Sequence, residues 1–149
     1  MKLPAPPKLR NILLIDDDEI TNFIGTDLIT SMGITETISV ATGGQGALNY
    51  IEKAYLENEN KIYGPPDIIF LDMNMPEMDG LEFLEKMNSV IPESGPFPII
   101  YLLSTSFMKG DVEKAFAINK LVKDYYEKPL TEEMVMGVYN SYVEERGKV

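Results

Sequence analysis

Acidic side chains follow two short apolar segments of this sequence, at positions where carboxylates can do chemistry. Asp72 ends the apolar run 67–71, and the acidic triplet 16–18 follows the run 12–15. Apolar runs of this length predict strands buried on both faces. In open α/β sheets, ligands bind at the carboxyl ends of the strands. Carboxylates gathered at that edge can bind a hard cation such as Mg²⁺, and one of them can attack phosphorus as a nucleophile.

Two further polar residues follow predicted strands nearer the end of the chain. Ser104 comes directly after the apolar run 99–103, and Lys128, followed by a proline, comes after the short predicted strand 122–126. A hydroxyl can donate a hydrogen bond to a phosphoryl oxygen, and a lysine ammonium is a compact positive charge for the same oxygens. These four strand-end positions therefore suit one phosphoryl-transfer site.

Each of these residues also has an ordinary explanation when it is taken alone. The triplet 16–18 suits the amino-terminal cap of a helix, and Asp18 fits that role best. A single Asp or Ser after a strand, or a Lys-Pro pair before a helix, is common in turns. Four ordinary explanations would have to hold together, whereas one phosphoryl-transfer site accounts for all four strand ends.

The segments that must position these residues alternate between strand and helix. Strands are predicted at 12–15, 37–40, 67–71, 99–103 and 122–126. Helices are predicted at 19–32, after Gly43, at 81–90, at about 109–118 and after Thr131, which caps the last helix. Alternating strands and helices predict a parallel sheet covered on both faces.

The first predicted helix has a regular apolar pattern. Five of its residues fall on one face at helical spacing, and Gly33 follows as a stop signal: Ile20, Phe23, Ile24, Leu28 and Met32. Such a face is expected to pack on the sheet.

The composition excludes several classes of function. The 149 residues contain no cysteine and no histidine, so disulfides, thiolate metal sites and histidine general bases are excluded. The formal net charge of −11 argues against nucleic-acid binding and favours proteins or cations as partners. No segment has the length of a membrane span, so a soluble cytoplasmic protein is expected. We expect an extended leader at 1–8, a single domain at 9–146 and a short tail at 147–149.

The chain resembles the receiver domain of two-component response regulators, in particular the stand-alone, chemotaxis-regulator-like kind. The resemblance rests on the acidic pair 16–17, on Asp72 with Met75-Pro76 and Asp79-Gly80 after it, on Ser104, and on Lys128-Pro129. It covers most of the sequence. It implies a flavodoxin-like, doubly wound, five-stranded parallel sheet of order 2-1-3-4-5 with five helices.

The resemblance also implies a role for each site residue. Asp72 would be the phosphoacceptor, with Lys128 and Ser104 acting on the phosphoryl oxygens. Mg²⁺ would be bound by Asp17, by Asp72, by the backbone carbonyl of Asn74 and, chiefly through water, by Asp16. The residue pair Ser104 and Tyr125 would form the switch, and a cis peptide bond is expected between Lys128 and Pro129.

Other positions refine or depart from the family pattern. Ser104 stands where threonine is commoner. Thr105 is the alternative switch hydroxyl, although strand alternation favours Ser104. Asn74 and Ser106 occupy the positions that tune loss of the phosphoryl group, and the amide of Asn74 is expected to orient the attacking water. The stretch 57–66 is longer than a minimal receiver needs.

The expected function is that of a single-domain bacterial receiver, phosphorylated by a histidine kinase or a histidine phosphotransfer protein. It would not be an enzyme acting on other molecules, although it would catalyse its own Mg²⁺-dependent phosphorylation and dephosphorylation. Phosphorylation would switch a surface on helix 4, strand 5 and helix 5 toward an unknown protein target, in a monomer or weak dimer. The alternatives are a receiver that binds partners without phosphorylation, and a phosphoryl relay or sink. A hydrolase with an aspartyl nucleophile is disfavoured because position 74 is Asn, where a second carboxylate is needed.

Overall fold

The computed structural model describes residues 6–56, 64–108 and 110–146. Within these ranges, strands and helices alternate along the chain. The strands are β1 (Leu9–Ile15), β2 (Thr35–Ala41), β3 (Ile68–Asp72), β4 (Ile99–Ser104) and β5 (Val122–Glu127). The helices are α1 (Glu19–Met32), α2 (Gly44–Tyr55), α3 (Gly80–Met87), α4 (Asp111–Ile118) and α5 (Glu132–Arg146).

The strands form one parallel sheet in the order β2-β1-β3-β4-β5, which confirms the predicted topology. The strand order reverses between β1 and β3, and in such sheets a crevice opens at the carboxyl ends of those two strands. In the register of this pair, Ile15 lies opposite Leu71. Asp16 and Asp72, one residue further along each strand, are therefore brought to the same level at the crevice.

Two apolar layers cover the sheet, one on each face. Neighbouring residues of β3 alternate between them, so that Ile69 and Leu71 join one layer while Ile68 and Phe70 join the other. The central strands are consequently buried on both faces, as their continuous apolar runs predicted. This leaves the strand ends as the places where polar side chains can meet.

Helix α1 begins and ends at the predicted residues. The carboxylate of Asp18 accepts hydrogen bonds from the backbone N–H groups of Ile20 and Thr21, as an amino-terminal cap does. Gly33 ends the helix at a φ of 65°, a left-handed conformation that favours glycine.

The predicted inner face of α1 is correct for the second half of the helix and wrong for the first. Leu28 and Met32 are half-buried and pack against one of the apolar layers. Ile20, Phe23 and Ile24 are 71%, 74% and 57% exposed, whereas the buried residues of the helix are Asn22, Gly25 and Ile29. The side chain of Asn22 donates a hydrogen bond of 2.8 Å to the backbone carbonyl of Asp16, which turns the polar side of the helix toward β1. The apolar residues in the first half of the helix are therefore left on the surface.

Several other boundaries differ from the predicted ones. β1 begins three residues earlier because Asn11 is buried and donates hydrogen bonds to the Tyr50 hydroxyl and the Gly64 carbonyl. β2 and β5 are also longer than predicted, and α3 ends earlier, at Met87. The helix predicted from about residue 109 begins at Asp111, after Gly110 with its φ of 90°, and residue 109 lies outside the described ranges.

The predicted leader 1–8, the predicted tail 147–149 and the stretch 57–66 lie partly or wholly outside the described residues, which omit 1–5, 57–63 and 147–149. At the described end of the leader, the Tyr139 hydroxyl donates a hydrogen bond to the Pro7 carbonyl. Among the helices that the structure describes, none combines the length and the apolar character needed to cross a bilayer.

Candidate functional site

Four strands deliver the predicted site residues to one edge of the sheet. Asp16 follows β1, Asp72 ends β3, Ser104 ends β4 and Lys128 follows β5. The backbone N–H of Lys128 donates to the Ser104 carbonyl at 2.8 Å, which continues the β4–β5 pairing up to the site. The peptide bond after Lys128 is cis, as predicted.

The acidic residues of β1 and β3 form a compact cluster. Asp16, Asp17 and Asp72 each place a carboxylate oxygen within 4.8 Å of the others. Asp16 and Asp72 are buried, while Asp17 is exposed. Backbone N–H groups two residues further on hold the buried pair, with Asp18 donating to Asp16 at 2.9 Å and Asn74 donating to Asp72 at 3.1 Å.

Lys128 lies between the two buried carboxylates. Its Nζ is 2.6 Å from Asp16 Oδ2 and 3.2 Å from Asp72 Oδ1. Burial by itself would lower the pKa of Lys128, but the hydrogen bond to Asp16 and the charge of Asp72 outweigh it and raise that pKa. Lys128 is therefore a fixed positive charge beside both carboxylates.

The carboxyl group of Asp72 is harder to ionise than an ordinary aspartate. Burial raises the pKa of Asp72 to about 6, and the charge of Asp16 adds to the effect, against the hydrogen bond from Asn74 and the charge of Lys128. When ionised, the three carboxylates of the cluster carry more negative charge than the single Lys128 ammonium can balance. All-oxygen donors on two strand ends fit a hard divalent cation such as Mg²⁺.

The two adjacent candidates for the switch hydroxyl differ in burial. Ser104 is fully buried and Thr105 is exposed. The Ser104 Oγ accepts a hydrogen bond of 2.7 Å from the side-chain amide of Asn74 and one of 3.1 Å from the backbone N–H of Ser106. It donates its own proton to the Ser106 carbonyl at 2.9 Å.

Tyr125, the predicted switch aromatic, lies on the surface of β5. Its side chain is 46% exposed, and its ring meets the ring of Phe107 edge-on with 5.2 Å between centroids. Phe107 belongs to the loop that follows Ser104. A movement of that loop would therefore change the contact between the rings of Phe107 and Tyr125.

Two features of the site were missed at the level of the sequence. One is the contact of Asn74 with Ser104, because the amide of Asn74 was predicted to orient water. The other is the exposed apolar surface of α1 made by Ile20, Phe23 and Ile24, which we call the α1 patch. The buried residues Asn22, Gly25 and Ile29 have the spacing i, i+3, i+7 of one helix face, but Asn22 and Gly25 are not apolar, so hydrophobic periodicity gave no signal for this inner face.

A cavity of about 280 Å³ lies between the α1 patch and the acidic cluster. It is mostly apolar, and Ile24, Gly25, Leu103, Asp16 and Lys128 are among the residues that line it. The α1 patch is therefore continuous with the candidate site through this cavity.

Comparison with known proteins agrees with this geometry. Residues 12–139 match the family model described as response regulator receiver domain. A protein-glutamate methylesterase/protein-glutamine glutaminase from Archaeoglobus fulgidus is 35% identical over 118 residues, covering 79% of this chain and 29% of that protein. A hybrid signal transduction histidine kinase I from Dictyostelium discoideum is 31% identical over 143 residues, covering 91% of this chain and 8% of that protein.

A solved structure gives the same result at the level of the fold. The crystal structure of a two component response regulator from Cytophaga hutchinsonii has a TM-score of 0.77 and 34% identity, covering 92% of this chain and 98% of that one. The chain spans less than a third of the length of the curated relative from Archaeoglobus fulgidus. By its family match, its relatives and its strand order, the chain belongs to the response regulator receiver domains of two-component signalling systems.

Proposed function

We propose that Asp72 accepts a phosphoryl group from the phosphohistidine of a histidine kinase or histidine phosphotransfer protein. The observation that carries this proposal is the position of Lys128, whose Nζ contacts both Asp16 and Asp72 at the crevice of the sheet. An oxygen of Asp72 forms the bond to phosphorus, and the bond from phosphorus to the donor imidazole breaks. Lys128 is placed to neutralise the phosphoryl oxygens during this exchange.

Mg²⁺ fits the same site and would be held by Asp17, Asp72 and the backbone carbonyl of Asn74, with Asp16 acting through water. When bound, the cation neutralises negative charge between the carboxylate and the phosphoryl group. Asp16 also orients Lys128 through their 2.6 Å hydrogen bond. These residues assist the chain's own phosphorylation and dephosphorylation, and the chain would not act as an enzyme on other molecules.

The α1 patch is proposed as the surface that the phosphodonor protein contacts. Its three large apolar side chains are each more than half exposed, and one of them, Ile24, lines the cavity that leads to Asp16 and Lys128. Apolar patches that border a reaction site are typical of protein contact surfaces. A donor protein seated there would have its phosphohistidine near Asp72.

Output is proposed to pass through the surface of α4, β5 and α5. Tyr125 and Phe107 lie there as an aromatic pair, with Phe116 of α4 also 43% exposed. Movement of Ser104 toward a phosphoryl group would shift the loop that carries Phe107 and so release Tyr125. A downstream protein would recognise the changed surface.

Phosphotransfer profiling tests the proposal. The purified chain is mixed with ³²P-labelled histidine kinases and phosphotransfer proteins, and transfer is followed over time. We expect one donor to transfer faster than the others, and Asp72→Asn to receive no label from it. Labelling by small phosphodonors with no transfer from any phosphohistidine protein would contradict the proposed donor class.

A further inference from the structure

We propose that the side chain of Asn74 is a latch on the switch hydroxyl, holding Ser104 in its unphosphorylated arrangement and so setting how readily the protein switches. The inference rests on the proposed function, because it concerns the response to a phosphoryl group on Asp72. It assigns Asn74 a positioning role that differs from orienting water.

The hydrogen-bonding capacity of Ser104 is fully used. A hydroxyl has one proton to donate and two lone pairs that accept. Ser104 donates to the Ser106 carbonyl and accepts from the Ser106 N–H and the Asn74 amide, at 2.9, 3.1 and 2.7 Å. Phosphoryl oxygens are acceptors. Ser104 can therefore donate its proton to one only after its hydrogen bond to the Ser106 carbonyl is broken.

The contact with Asn74 is the shortest of the three and joins two different strand ends. The other two bonds run between Ser104 and Ser106 and move with the β4–α4 loop. The bond from Asn74 instead anchors Ser104 to the β3–α3 loop. A movement of Ser104 with its own loop must therefore break the contact with Asn74.

Asn74 is also tied to the phosphorylation site through its backbone. Its N–H donates to Asp72 Oδ1 at 3.1 Å, two residues away, while its amide reaches Ser104 across 30 positions of sequence. One residue thus contacts both the phosphoacceptor and the switch hydroxyl. The side chain is exposed, so its removal leaves no buried cavity.

Asn74→Ala is expected to bind the phosphoryl mimic beryllofluoride about two- to tenfold more tightly than the wild type in Mg²⁺, because one hydrogen bond no longer has to be broken. Binding is measured by calorimetry, which avoids the effect of Asn74 on hydrolysis. Mg²⁺ affinity without the mimic is measured for each variant, so that mimic affinities are compared at saturating Mg²⁺. The matched control is Asn49→Ala, at an exposed position on α2 whose amide oxygen accepts from Gln45.

A double-mutant cycle shows whether the effect passes through the hydroxyl. In a Ser104→Ala background, Asn74→Ala should leave mimic affinity unchanged, since the latch has nothing to hold. In unliganded protein, Asn74→Ala should also shift the amide resonances of Ser104 and Ser106.

The outcomes separate the latch from the proposed function. Failure of the wild type to bind the mimic would overturn the proposed function and the latch together. A wild type that binds the mimic, with Asn74→Ala binding equally or more weakly, would overturn the latch alone. Tighter binding of equal size with and without the Ser104 hydroxyl would also overturn it.

Discussion

Lys128 and the two carboxylates beside it show what could be predicted at the scale of single residues. Asp16, Asp72, Ser104 and Lys128 were expected to meet because each lies at the carboxyl end of a strand. The Lys128 side chain contacts both carboxylates, and its backbone N–H donates to the Ser104 carbonyl. The contact between Asn74 and Ser104 was not predictable, because it depends on the path of the β3–α3 loop. That loop contains Glu77 at a φ of 67°, a conformation that non-glycine residues seldom adopt and that no sequence pattern marks.

Asp72→Asn should stabilise the metal-free protein. The raised pKa of the wild-type Asp72 carboxyl means that the folded state disfavours the ionised carboxylate. Each pKa unit corresponds to about 1.4 kcal/mol. In chelator at pH 7 to 8 we expect a gain of about 1–3 kcal/mol in the free energy of unfolding, measured by urea denaturation.

The pH dependence of that gain has a definite sign. The wild-type penalty is present above pH of about 6 and disappears as the pH falls toward about 4, where the carboxyl is neutral in both folded and unfolded chains. The two proteins should therefore converge in stability near pH 4. A gain that grew as the pH fell would contradict the charge explanation.

The strands and helices position the site. Their order along the chain was predicted more reliably than which face of a helix packs on the sheet. The central strands β1, β3 and β4 were recognised from continuous apolar runs, and α1 from its cap at Asp18 and its stop at Gly33. The apolar stripe of α1 was assigned to the core, whereas tertiary packing buries Asn22 and Gly25 and exposes the α1 patch. Periodicity reports that a helix has an apolar face, but it cannot tell a core contact from a surface that binds a partner.

Phe23→Ser should weaken phosphotransfer from a protein donor. Phe23 is 74% exposed in the α1 patch, so the change removes partner contact without opening the core. We expect kcat/KM for a phosphohistidine protein to fall about five- to thirtyfold, while phosphorylation by a small donor is unchanged.

Phe116→Ser is the matched control for this variant. Phe116 is also an exposed phenylalanine, but it lies on α4, away from the α1 patch. Transfer from the donor should be unaffected by it. Equal losses in both variants would show that the α1 patch has no special part in donor binding.

Gly80→Ala should destabilise the fold at the start of α3. A Cβ at this position would lie 2.6 Å from Met73 Sδ and 2.8 Å from Met73 Cα, so the backbone after Asp72 would have to move. We expect a loss of about 1–3 kcal/mol in the free energy of unfolding, together with weaker Mg²⁺ binding.

Gly46→Ala provides the comparison within a helix. Nothing lies within 4 Å of a Cβ at that position of α2, so alanine should be neutral or stabilise by up to about 1 kcal/mol. Denaturant unfolding of both variants checks the pair. Similar stability for the two would mean that close packing over Met73 does not constrain residue 80.

At the scale of the whole molecule, the two faces of the sheet form the hydrophobic core, and its carboxyl edge carries the candidate site. Both faces are covered by apolar layers, and the carboxyl edge carries the acidic cluster, Lys128 and Ser104. The strand order 2-1-3-4-5 was inferred from family resemblance, because strand and helix periodicity carries no information on neighbours in a sheet. The net charge of −11 further favours association with cations and with basic protein surfaces.

The most direct test of the central claim is intact-mass measurement after incubation with phosphoramidate. The wild type should gain one phosphoryl group per chain in Mg²⁺ and none in chelator, and Asp72→Asn should gain none in either condition. Denaturant unfolding should confirm that the variant is folded. Asp72→Asn that still gained a phosphoryl group in Mg²⁺ would show that another residue is the acceptor, and it would contradict the assignment of Asp72.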